Sequence, residues 1–135
     1  MPHVSRRKLK PTDEKRLFDT LLTVLKKINK DEDMEGFLFS LLSETEKIML
    51  AKRLAAIILI KENLSDMDIA DRLCITRETV LRIKAQMQIR GNGHEIALKK
   101  LEEEQYLSEF KKFLMSLARY SARAAGGRVK FSILD

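Results

Sequence analysis

The sequence has a single cysteine, Cys74, only two histidines, His3 and His94, and no tryptophan. One cysteine cannot close an internal disulfide. Two imidazoles, with no serine or cysteine in a nucleophile motif, leave most hydrolytic and metal chemistries without their parts. The expectation is a protein that is not an enzyme and uses no cofactor and no metal. Proline is confined to Pro2 and Pro11, so the residue that most strongly interrupts helices is missing from the rest of the chain. Glycine occurs only at Gly36, Gly91, Gly93, Gly126 and Gly127, which marks few breaks between long helical segments. The expected fold class is therefore all-α. Apolar runs are short as well: the longest, Leu54 to Ile60, falls far below the roughly 20 residues of a membrane-spanning helix. The opening residues hold no apolar stretch of the secretory-signal kind, and the expected setting is a reducing cytoplasm away from any membrane.

What is present is enough for one domain with a core: 135 residues, 44% of them hydrophobic. Lys and Arg total 26 against 20 Asp and Glu, a net charge of +6 that favours polyanionic partners, nucleic acid first. Residues 1–12 read as a basic arm carrying Arg6, Arg7, Lys8 and Lys10, placed either to track phosphates or simply to stay hydrated. Residues 13–105 form the expected DNA-binding and dimerisation domain. Residues 106–135 read as a helical extension ending in a basic tail, with Arg119, Arg123, Arg128 and Lys130 available for non-specific phosphate contacts.

Hydrophobic periodicity places about six helices along the chain. The first two run from about Asp13 to Ile28 and from about Asp33 to Leu42. In the first, Leu17, Phe18, Leu21, Leu22, Val24, Leu25 and Ile28 cover more than one narrow stripe, so it needs cover on two sides, as a dimer interface would supply. The third begins at a capping box, Ser43 with Glu46, and runs to about Glu62. Its Ile48, Met49, Ala51, Leu54, Ala55, Ile57, Ile58 and Leu59 make it the most buried-looking segment, expected at the centre. A long final helix is expected from about His94 to Ala122, its apolar side chains adding packing across a dimer.

Local signals agree best between Leu64 and Ile89. Ser65 can cap one short helix, with Asp66 and Asp68 favourable to its N-terminal dipole and Leu64 packing on Ile69. Thr76 can cap a second, with Ile75 and Val80 as the matching apolar pair. Only Cys74, Ile75 and Thr76 separate them, and Ala70 falls where a larger side chain would hold two crossing helices apart. The pattern over residues 65–89 is that of a helix-turn-helix. One position departs from it: Cys74 stands where glycine is usual, because a positive φ is often needed there. Val80, Ile83 and Met87 would face inward, leaving Arg77, Glu78 and Leu81 as candidates for reading base edges and Thr76, Arg82 and Lys84 for phosphates.

Three stretches in order, LLSETEKIMLAKRL (Leu41 to Leu54), TRETVLRIK (Thr76 to Lys84) and GNGHEIAL (Gly91 to Leu98), resemble the Trp repressor family, and more closely its branch of regulators whose effector is unassigned. The resemblance covers roughly residues 15 to 105. It implies an intertwined homodimer on a palindromic operator of double-stranded DNA, its two recognition helices entering major grooves roughly 34 Å apart. In the tryptophan-responsive members two arginines flank the corepressor beside a hydroxyl, and Arg53, Arg82 and Thr79 match those positions. The glycine that gives the indole room is replaced by Ile83, which argues against tryptophan and leaves another small-molecule effector, phosphate contacts or plain ion pairs with Glu44 or Glu46 for the arginines.

The expectation is thus a sequence-specific transcriptional regulator, in the main a repressor because such dimers act by occupying operators. The rivals are a non-specific nucleic-acid binder working through its basic arm and tail, and a protein-interaction adaptor that keeps the same fold. His94-Glu95 is half of a zinc signature whose second histidine is absent, and Gly91-Asn92-Gly93 reads as a helix stop, not a phosphate loop. Cys74 is expected to be inert packing within an apolar turn.

Overall fold

A computed structural model describes residues 6–103 and 106–126, with side-chain surroundings given through Leu117. Among the described residues there are seven helices and no strand, and no helix is long and apolar enough to cross a membrane. The chain divides into two compact units, Met1–Leu50 and Ala51–Asp135.

In the first unit, α1 (Pro11–Lys27) starts with proline in its first turn, where the missing N–H costs nothing. Asp13 and Glu14 sit in that turn and Lys26 and Lys27 in the last, each favourable to the helix dipole. α2 (Asp31–Leu41) likewise opens on Asp31, Glu32 and Asp33, so three carboxylates stand where no side chain caps the helix. Neither helix has a buried residue. Leu21, Leu22, Val24 and Leu25 are half-covered, while Leu17, Phe18, Phe39 and Leu41 are exposed.

α3 (Glu44–Lys61) begins at the expected capping box. The Ser43 N–H donates to Glu46 Oε1 at 2.8 Å and the Glu46 N–H donates to Ser43 Oγ at 3.1 Å. Only its second half is central: Ala55, Ala56, Ile58 and Leu59 are buried, whereas Ile48, Ala51 and Leu54, expected inside, are exposed. α3 closes with Asn63 in the left-handed region (φ 63°), letting the Leu64 N–H reach back to the Leu59 carbonyl.

The second unit gathers that half of α3 with α4 (Asp66–Leu73), α5 (Arg77–Ile89), α6 (Gly93–Glu103) and α7 (Tyr106–Gly126). Its core is made of Ile58 and Leu59 from α3, Ile69 and Leu73 from α4, Val80 and Ile83 from α5, and Leu107 and Leu114 from α7. The expected single final helix is two. At about 100° per residue, Leu98 and Leu101 lie on roughly the opposite side of a continuous helix from Leu107, Phe110, Leu114 and Leu117, so one straight rod cannot bury both sets. Broken into α6 and α7, the chain packs both against the same core, and α7 serves this chain's own interior.

Candidate nucleic-acid interface

α4 is short, so its ends matter. Ser65 Oγ accepts from the Asp68 N–H at 3.1 Å, satisfying one of the orphan donors of its first turn. The helix ends at Cys74, whose φ of 53° and ψ of 50° place it in the left-handed region, and the Ile75 N–H returns to the Ala70 carbonyl at 3.1 Å. The strain expected of a non-glycine corner is present, but the packing expected of Cys74 is not: its side chain is exposed. Ile75, the next residue, packs against the core.

Two residues beyond the corner, Thr76 caps α5. Its Oγ1 accepts from the Thr79 N–H at 3.1 Å and lies 2.8 Å from Thr79 Oγ1. Inside the resulting pair, Ile69, Ala70 and Leu73 of α4 meet Val80 and Ile83 of α5, and Met87 packs at the edge. Ala70 lets the two backbones approach. Gly91, with φ of 83°, stops the segment after α5, a conformation that suits glycine.

The outward face of α5 carries Arg77, Glu78, Leu81, Arg82 and Ala85, all exposed. Arg77 has no ion-pair partner among the described residues. Arg82 Nη2 pairs with Glu78 Oε1 at 2.7 Å, one helical turn away, while Glu44 pairs with Lys47 and Glu46 accepts from Ser43. Lys84 places its Nζ 2.8 Å from Asp66 Oδ1, a carboxylate mostly shielded from solvent. That pair ties the middle of α5 to the first turn of α4. The Thr76 hydroxyl is likewise engaged in its cap.

Arg53 sits with Ile57, Ile83, Met87, Arg90 and His94 around an open concavity of about 210 Å³, whose lining includes neither Thr79 nor Arg82. Ile83, buried against the core, is one of its lining residues, and a smaller residue there would leave more room. A second, larger concavity of about 630 Å³ is bordered by Lys61, Glu95, Leu98, Lys99, Glu102 and Glu103. The Lys61 ammonium donates to Glu95 at 2.8 Å, and this bond with its charge holds the Glu95 carboxyl below the usual range. Mixed charge gives that surface no preference for one sign of ligand. Among the described residues no group of three His, Cys, Asp or Glu could hold a metal ion.

Arg72 is singled out by no motif of the sequence. Its side chain is only 7% exposed. Nε and Nη2 donate to Asp68 Oδ1 and Oδ2 at 3.1 and 3.2 Å, and Nη1 donates to the Leu114 and Met115 carbonyls at 3.2 and 3.0 Å. The Asp68-Arg72 spacing of four residues signalled the first contact; nothing local signalled the second. No family model, no curated protein and no solved structure matches the chain.

Proposed function

We infer that the chain is a sequence-specific, double-stranded-DNA-binding transcriptional regulator of the Trp repressor-like kind, in which α4 and α5 are a helix-turn-helix and α5 is the recognition helix. The observation that carries this is the pairing of a buried inner face, Ile69, Leu73, Val80 and Ile83, with an outer face from Arg77 to Ala85 open to a partner. Arg77 lies in the first turn of α5, the part of a recognition helix that reaches base edges, and its guanidinium matches the two acceptors of guanine. Leu81 offers a surface for a thymine methyl. The Glu78–Arg82 pair opens on binding, Arg82 turning to phosphate and Glu78 to a cytosine amine. The net charge of +6 supplies the sequence-independent attraction.

The regulator acts as a homodimer on a palindromic operator and represses by occupying it. Supporting the dimer, Leu17, Phe18, Phe39 and Leu41 each leave half or more of their surface exposed on helices with no buried residue. A small effector other than tryptophan would occupy the concavity that Arg53 and Ile83 help to line.

The test is selection from random duplexes followed by replacement of Arg77. A palindrome is enriched, and R77A loses about 1–3 kcal/mol on it, about 5–150-fold in affinity, with little change on random DNA. Equal losses on both duplexes would remove Arg77 from base reading. Ile89, 81% exposed, and Leu81 give α5 an apolar outer surface that favours the adaptor reading instead; that reading takes over if no duplex binds even at low salt.

A further inference from the structure

We propose that Arg72 is a positioning residue for DNA reading: its buried guanidinium fixes α7 against α4 and so sets the angle at which α5 projects. The inference rests on the function proposed above, and its structural half stands on the four hydrogen bonds alone.

α4 has eight residues, too few to hold a helix or an orientation without neighbours. It meets α5 on one side and, as extensively, α7 on another. The apolar part of the second contact, Ile69 and Leu73 with Leu107 and Leu114, favours proximity without fixing register, because hydrophobic attraction has no direction. A planar guanidinium does have direction. From one buried point Arg72 grips both oxygens of Asp68 on its own helix and two consecutive carbonyls, Leu114 and Met115, on α7. Sliding α7 by one residue, about 1.5 Å, would break at least one of these bonds. Since Lys84 ties α5 to Asp66 on the same short helix, α4 is a rigid link between α7 and the outward face of α5. Lysine could not replace arginine here: one ammonium reaches the carboxylate or the carbonyls, not both in the same plane.

The test compares full-length R72M, R72K and D68N with the unaltered chain. Without DNA, amide hydrogen exchange is expected to quicken about tenfold or more in both α4 and α7 of R72M and R72K, with α3 unchanged. With DNA, the ratio of affinity for the duplex enriched by selection to that for a random duplex is expected to fall about tenfold, with the salt slope unaltered because Arg72 touches no phosphate. D68N keeps the shape and both carbonyl bonds, and is expected to show the same two effects at smaller size, which decides the matter if R72M fails to fold. Exchange that quickens in α4 alone overturns the coupling. An unchanged ratio in a folded variant, or equal losses on both duplexes, overturns the positioning role. If the unaltered protein binds no duplex, the functional reading above fails while the exchange measurement still decides whether Arg72 joins α7 to α4.

Discussion

Replacing Cys74 by glycine should make this protein more stable, although it removes a side chain. The left-handed conformation costs an L-residue about 1–2 kcal/mol that glycine does not incur. Against this, glycine loosens the unfolded chain at a cost of about 0.4–1 kcal/mol. Nothing else is lost, because the Cys74 side chain is exposed and the bonds that define the corner are all from backbone atoms. The Lys52 ammonium, which reaches the Cys74 carbonyl at 3.4 Å, keeps its acceptor. The net gain is centred on about 0.8 kcal/mol, within a span of about 0–1.6, or roughly 3–6 °C in Tm at the centre for a unit of this size. Urea and thermal unfolding followed by circular dichroism, at one protein concentration for all variants, would measure it. C74A is the control: it keeps the Cβ and hence the strain, so it should stay close to the parent, and C74V, branched at Cβ, should fall below it. If C74G is no more stable than C74A, the corner does not store the strain argued from its φ of 53°.

The caps and the capping box give further checks. S65A and T76A should each cost about 1 kcal/mol in urea unfolding, T76A the more because Thr79 Oγ1 also loses its partner; a T76A chain as stable as the parent would refute the cap. The backbone N–H of Ser43, and then its hydroxyl, hold the Glu46 carboxyl below its ordinary value near 4.5. A lowered folded pKa means stability present above that ordinary value and lost as pH falls through the folded one. The parent should therefore exceed E46Q in stability at neutral pH, with the gap closing below about pH 4.5, and a gap that does not change with pH would contradict the capping box.

The parts of this fold that were legible in the sequence are those decided within a few residues. Ser43 with Glu46, Ser65 with Asp68 and Thr76 with Thr79 are contacts three residues apart, and each formed where the spacing placed it. The inward set of α5 followed from period alone. What escaped depended on partners brought together by folding. The Lys84 bond needs α4 to fold and present Asp66, 18 residues away, and Arg72 looks like a surface residue until α7 arrives from 42 residues downstream. The apolar neighbours of Cys74 suggest packing, yet at the corner between α4 and α5 its side chain is exposed. The break between α6 and α7 was present in the sequence as a reversal of apolar phase, which a count of apolar residues along one helix overlooks.

The dependence of the core on α7 also orders events in time. Arg72 and Leu114 are 42 residues apart, which a ribosome adding about 5–20 residues per second needs about 2–8 s to traverse, whereas a helix forms in about a microsecond. Until α7 is made, Ile69 and Leu73 lack the cover that Leu107 and Leu114 give them in the folded chain. A product cut short before Leu107 carries an open apolar seam for proteases and chaperones to find, so an interrupted translation yields a chain marked for removal and not a shortened working copy.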